Sequence, residues 1–136
     1  MDIWSKEKRS YVMSQIRSKD TSPERKVRSK LHAMGYRFRL HVKSLPGTPD
    51  IVLPKYKKVI FVNGCFWHLH KGCRDGRIPK TQRAKWKAKL EQNVERDMQH
   101  VKALKMSGWE VLVLWECQIE NKEDSVQRRL KYFLQR

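Results

Sequence analysis

Acidic residues are scarce in this chain, and so are cysteines and long apolar runs; each shortage excludes something. Asp and Glu number 14 among 136 residues, against 31 Lys and Arg, which leaves a net charge of +17. A small domain this basic repels itself when free. A polyphosphate partner relieves the repulsion, because each Lys or Arg that neutralises a phosphate releases condensed counterions. Nucleic acid is therefore the expected partner. No segment approaches the ~20 apolar residues needed to cross a bilayer, and no basic amphipathic helix has a strongly apolar face, so a membrane partner is not expected. The first residues, Met1 to Lys8, are polar and contain no apolar leader, which points to a cytoplasmic protein. Three cysteines cannot all pair within one chain. In a reducing compartment they read as metal ligands or buried thiols. Repeats, low-complexity tracts and dividing linkers are also lacking, so residues 1–136 are expected to form a single domain.

What remains is periodic. Residues 5–18 read as a short basic helix with Tyr11, Val12 and Ile16 at helical spacing. Ser22, Pro23 and Glu24 signal a helix start, with Ser22 as the cap, and Val27, Leu31 and Met34 form one face before Gly35. Tyr36, Phe38 and Leu40 alternate with Arg37, Arg39 and His41 as in a half-buried strand. Short strands follow at 50–53 and 58–62, separated by a tight connection. Residues 64–82 form a long loop without apolar period, a length usually tied to function. A helix over 83–106 carries Trp86, Leu90, Val94, Met98 (or Asp97), Val101 and Leu104 inward. A largely apolar strand over 109–115 and a helix over 123–134, with Val126, Leu130 and Phe133 as its stripe, complete the chain. The order predicts a small mixed α/β sheet flanked by helices.

Cys65, His70 and Cys73 fall within the long loop as C-x4-H-x2-C. Cys117 ends the late strand, where sheet pairing could bring it beside Cys65. Three thiolates and one imidazole suit tetrahedral Zn²⁺, and a set closed in this way is structural. Among other titratable groups, Asp50 reads locally as a turn residue and Glu24 as a first-turn charge that complements the helix dipole. His68 reads either as a further loop ligand or as a surface residue. Asp97 is turned toward the apolar side of its helix, where a carboxylate requires a partner such as histidine. Phe66 and Trp67, consecutive in a polar loop, and Trp86 nearby read equally as loop anchors or as wedges that unstack bases.

Together these residues resemble the very-short-patch-repair (Vsr) mismatch endonucleases. The resemblance runs from Arg9 to about Cys117. It rests on R-S-x-x-M-S-x-I-R-S-K-D-T-S-P-E (Arg9–Glu24), L-P-G-T-P-D (Leu45–Asp50), V-x-G-C-F-W-H-x-H with Cys73, W-x-x-K-L-x-x-N-V-x-R-D (Trp86–Asp97) and G-W-x-V-L-x-x-W-E-C (Gly108–Cys117). It implies a restriction-endonuclease-like core with a structural zinc loop. The implied activity is Mg²⁺-dependent cleavage of one strand of double-stranded DNA, 5′ to the thymine of a T:G mismatch left by deaminated 5-methylcytosine. Carried over residue by residue, Asp50 and the carbonyl of Val62 hold Mg²⁺, Glu24 supports the water on that ion, and His68 paired with Asp97 is the general base. Asn63 stands where some members have a second active-site histidine. Cys65, His70, Cys73 and Cys117 match the zinc ligands, and Phe66, Trp67 and Trp86 the intercalating wedge. Residues 1–20 match an arm that reaches across DNA. The resemblance also implies a monomer working with mismatch-repair proteins. The alternatives are a zinc-stabilised DNA-binding module without catalysis, and a restriction-type enzyme that cuts both strands.

Overall fold

The computed structural model describes residues 21–136; the expected helix at 5–18 and the arm at 1–20 lie outside the described residues. The elements run α1 (Ser22–Ala33), β1 (Arg39–Leu40), β2 (Ile51–Leu53), a 3₁₀ turn (Pro54–Tyr56), β3 (Lys58–Asn63), α2 (Arg83–Met106), β4 (Glu110–Trp115), α3 (Glu116–Asn121) and α4 (Glu123–Gln135). One four-stranded sheet has the order β1-β2-β3-β4. β1 and β3 each pair antiparallel with β2, and β4 lies parallel to β3 with Lys58 opposite Glu110 and Asn63 opposite Trp115. Parallel neighbours need a long crossover, and α2 is part of it.

Period-two alternation divides the sheet into two unequal faces. On one, Ile51, Leu53, Ile60, Val62 and Leu114 pack against Val27 and Leu31 of α1, Ile119 of α3, and Val126, Leu130, Phe133 and Leu134 of α4. Burying each of these side chains contributes about 1.5–3 kcal/mol, so this face supplies most of the driving force. The other face is thinner: Val52 and Val59 meet Leu104 near the end of α2, with Phe61 and Val111 partly covered. Further back along α2, Val94 and Val101 are only half-buried. A cleft of about 1320 Å³ opens there between helix and sheet.

Several local expectations shift. The cap of α1 is Thr21, whose Oγ1 accepts from the Glu24 amide at 3.4 Å, and Ser22 becomes the first helical residue. Strand β1 is shorter than the alternation over 36–40 suggests. Tyr36 and Phe38 pack on the core, but Leu40 is 38% exposed because the chain turns away at His41, which has φ 49°. On α2 the inward position is Asp97, while Met98 is 64% exposed. Cys117 does not end the strand; it lies in α3, a short helix without its own sequence signal, where Gln118 Oε1 accepts from the Trp115 amide at 3.3 Å.

Lys58 opens β3 yet is only 3% exposed. Its Nζ donates to the carbonyls of Phe133 (2.6 Å) and Arg136 (3.0 Å), satisfying the C-terminal end of α4. Lys58→Ala leaves those carbonyls without their cation. The variant should lose roughly 2–4 kcal/mol of stability, because hydrogen bonds to charged groups are worth more than neutral ones. The expected reading is a lower urea midpoint at unchanged m-value; an unchanged midpoint would mean the contact contributes nothing.

Candidate active site and metal-ligand cluster

Strand pairing places a carboxylate corner at the open end of the sheet. Asp50 precedes β2, and its Oδ2 accepts from the Val62 amide at 2.7 Å, just beyond the last β2–β3 pair. Glu24, which reads locally as a first-turn charge, is 2% exposed. His41 stands between the two acids: its Nε2 is 3.3 Å from Glu24 Oε2 and its Nδ1 is 3.8 Å from Asp50 Oδ1. Donor atoms of all three side chains lie within 4.8 Å of one another. Burial, opposed by the Val62 amide and reinforced by the nearby Glu24 carboxylate, pushes the Asp50 carboxyl up to about 7. Two acids sharing a corner, Glu24 buried and Asp50 half-buried, are costly when both ionise, and a cation relieves that cost. The donor set therefore fits a divalent ion. His41 is the residue that sequence reasoning missed; its only local signal was a polar place in an alternating strand.

Across the cleft, His68 Nδ1 lies 2.5 Å from Asp97 Oδ2. The acid's fixed acceptor assigns the ring proton to Nδ1, which leaves Nε2 free to accept. His68 is outside the cysteine cluster, so of its two local readings the zinc-loop one is set aside. Asp50, Val62, Asn63, His68 and Asp97 all line the same cleft. Asn63 ends β3 and is buried. The rim carries Lys43, Lys102 and Lys105, charges suited to a phosphate backbone.

Cys65, His70, Cys73 and Cys117 gather into one cluster with donor atoms within 4.8 Å. The parallel ladder does this: residues 65 and 117 each fall two beyond the paired Asn63 and Trp115. His70 Nδ1 lies 3.7 Å from Cys65 Sγ and 3.3 Å from Cys117 Sγ. In a tetrahedral zinc site, sulfur and nitrogen ligands stand about 3.6 Å apart. Trp115 stacks on the His70 ring at 4.2 Å and 12°, fixing its plane. Burial pushes the Cys65 thiol up to about 12, raises Cys117 and lowers the His70 imidazole. Burial also acts to raise Cys73, but backbone groups of Asp75 and Gly76 and the neighbouring thiols outweigh it. The donor set and spacing fit a thiolate-binding ion such as Zn²⁺.

Phe66, Trp67 and Trp86 form a cluster of three half-buried rings, with centroids 5.0, 5.5 and 6.0 Å apart. Asn93 of α2 donates to the Trp67 carbonyl at 3.1 Å, which ties the loop to the helix. The rings are neither sunk in the core nor wholly in water.

A mixed sheet that offers carboxylates and a His–Asp pair to one basic cleft defines a restriction-endonuclease-like nuclease. The chain belongs to the DNA mismatch endonuclease Vsr family, whose model matches residues 1–74. It is 53% identical over 120 residues to the type II nicking enzyme V.XorIIP of Xanthomonas oryzae pv. oryzae, covering 88% of each chain. It is 41% identical over 122 residues to DNA mismatch endonuclease Vsr of Escherichia coli, covering 90% of this chain and 78% of that one. The catalytic domain of homing endonuclease I-Bth0305I shares the fold, with a TM-score of 0.57 and 24% identity over 84% of this chain and 94% of that one. The chain is therefore a DNA endonuclease of the Vsr family. Among the described residues, no helix is long and apolar enough to cross a membrane.

The loop that presents the cysteine cluster closes on Gly76. A Cβ there would stand 2.1 Å from the His70 carbonyl oxygen, so only glycine permits the approach. Gly76→Ala must push His70 away. Overpacking of this kind costs about 1–3 kcal/mol, so tryptic cutting at Lys71, Arg74 or Arg77 should accelerate roughly tenfold. Unchanged cutting would show that the loop accommodates the methyl elsewhere.

Proposed function

We propose that this chain nicks one strand of double-stranded DNA, 5′ to the thymine of a T:G mismatch, by cation-assisted phosphodiester hydrolysis in very-short-patch repair. The observation that carries the reading is the facing of the Asp50 corner and the His68–Asp97 pair across one cleft. A DNA-binding module needs neither. The mismatch in the family's description and the nicking named for its relatives support a single cut at a mispair over cleavage of both strands.

Asp50 Oδ1 and the Val62 carbonyl would hold Mg²⁺, with Glu24 beside them. A cation held there supplies charge that polarises the scissile phosphate and favours departure of the leaving oxygen. His68 Nε2 accepts the proton of the attacking water, while Asp97 keeps Nδ1 protonated and supports the imidazolium. Asn63 contacts the phosphate from the end of β3. Phe66, Trp67 and Trp86 stack beside the mispair, where distortion costs least. Cys65, His70, Cys73 and Cys117 hold a structural Zn²⁺ that orders the loop; their closed set leaves no open position for chemistry. In this reading the protein is a cytoplasmic monomer that passes its nick to mismatch-repair proteins. It forms a single domain, with residues 1–20 as its DNA-contacting arm.

Duplexes labelled on each strand, with T:G or matched pairs, test the reading under single-turnover conditions with Mg²⁺. Asp50→Asn should abolish nicking yet preserve folding, and His68→Ala should slow cleavage by about 10²–10⁴-fold. Wild-type-rate nicking by the Asp50 variant would remove the carboxylate corner from the mechanism. Trp67→Ala should weaken T:G binding by ~1–3 kcal/mol and matched binding by less. Equal losses would return the ring to a packing role.

The raised Asp50 carboxyl gives this site a pH dependence. Its proton must leave before a cation binds, so apparent Mg²⁺ affinity should climb as pH rises toward about 7 and level off above. A flat profile in titration calorimetry from about pH 5.5 to about pH 8 would contradict it. For the thiol cluster, one Zn²⁺ per chain is expected by metal analysis, and its removal by chelation should unfold the 64–82 loop. Full activity in a zinc-free preparation would exclude that role.

A further inference from the structure

We infer that His41 is a third side-chain donor to the cation held at Asp50 and Glu24, and that its imidazole shifts the site's preference from Mg²⁺ toward first-row transition cations. The inference rests on the reading of Asp50 as a cation ligand.

Register delivers His41 to this position. Leu40 pairs with Ile51, and the ladder runs one step further as the His41 amide donates to the Asp50 carbonyl at 3.2 Å. At this step the backbone enters the left-handed region, with φ 49°. Histidine is among the residues enriched there, whereas most side chains avoid it. The turn ends β1 and leaves the ring between the two acids.

The ring's hydrogen bonding distinguishes a ligand from a counter-charge. Among the described residues His41 Nε2 is buried yet has no hydrogen-bond partner, although Glu24 Oε2 is only 3.3 Å away. The separation suits a hydrogen bond, but the direction does not. An imidazolium placed there to neutralise Glu24 would aim its N–H at the carboxylate. A nitrogen lone pair and two carboxylate oxygens converging on a common point need no such alignment. Around an octahedral cation with ligands at about 2.1 Å, adjacent donors lie about 3.0 Å apart and opposite donors about 4.2 Å. Taking one donor atom from each side chain, all three lie within 4.8 Å of one another, and His41 Nε2 stands 3.3 Å from Glu24 Oε2, close to the adjacent-donor spacing.

Imidazole is a softer donor than carboxylate, carbonyl or water. Mg²⁺ favours oxygen donors, whereas affinity for nitrogen-containing sites climbs along the transition series. Mn²⁺ stands lowest in that series and also accepts oxygen sites, so it sets the severest test, and it competes poorly for thiolates.

Mn²⁺ binding to the full-length, DNA-free protein can be read from the electron paramagnetic resonance of the free ion, with Mg²⁺ affinity obtained by competition. His41→Asn tolerates the left-handed backbone but is too short to replace the ring; His41→Gln is the second variant should the first fail to melt like the wild type. Mn²⁺ affinity should fall by at least about tenfold and Mg²⁺ affinity by less than about threefold, since the loss of even an outer-shell partner commonly costs a metal site tenfold or more. Equal losses, no loss, or tighter binding of both ions would overturn the proposal, the last marking His41 as a competing cation. If Asp50→Asn retains Mn²⁺ as tightly as the wild type, the corner is not the cation site, and the reading of Asp50 falls with the inference.

Discussion

The parallel pairing of β3 with β4 is the constraint on which the chemistry depends. It sets Asn63 opposite Trp115 and so brings two chain segments to the same end of the sheet in fixed register. Two residues further on, Cys65 and Cys117 meet, and the loop between β3 and α2 supplies the remaining members of their cluster. Trp115 then serves both sides: it stacks on His70 at 4.2 Å and presents an edge-to-face contact to His68 at 6.4 Å. A slip of one residue would turn each strand's side chains to the opposite face and separate the cluster. The buried apolar face of the sheet, packed by α1, α3 and α4, makes that slip expensive.

The unequal covering of the sheet explains why the site lies where it does. One face is sealed by three helices; the other meets α2 mainly through Leu104. Had α2 lain flush along its length, the cleft would be core and Asp97 could not remain partly solvated beside His68. The helix instead carries a carboxylate at a position that amphipathic packing would give to an apolar residue. Its half-buried neighbours Val94 and Val101 line the opening. Local stability has been exchanged for access to the sheet's chemical end.

The long elements were legible in the sequence because their signals are local and repeated. The spacing of Val126, Leu130 and Phe133, and the run from Arg83 to Met106, required no tertiary information. The thiol cluster was legible from ligand type and strand ends; the inward carboxylate at Asp97 called for a histidine partner, but His68 as that partner came only from the family resemblance. The ambiguity between Asp97 and Met98 was not resolvable from spacing, since adjacent helical positions differ by only about 100°. Glu24, reached only through the family resemblance, and His41, missed altogether, were locally obscure for another reason. A first-turn Glu and a strand-alternating His each have a sufficient local explanation, and what unites them is the approach of α1 to the end of β1. That approach depends on Val27 and Leu31 packing against the sheet, which no local pattern near His41 reports.

Electrostatics ties the basic composition to the acid corner. A chain of net charge +17 attracts a phosphate backbone at long range, and Lys43, Lys102 and Lys105 continue that attraction onto the cleft rim. At the corner itself the sign reverses, because Glu24 is buried and Asp50 half-buried within reach of one another. Two ionised acids would repel the phosphate that the lysines draw in. Protonation removes the repulsion but also removes the ligands, and a divalent cation removes it while keeping them. The raised Asp50 carboxyl expresses that conflict: the pocket is poorly suited to two bare negative charges and well suited to the same charges around a cation. In the proposed mechanism, basic surface and acidic corner are thus two parts of one demand, attraction of the polymer at a distance and neutralisation of one phosphate at contact.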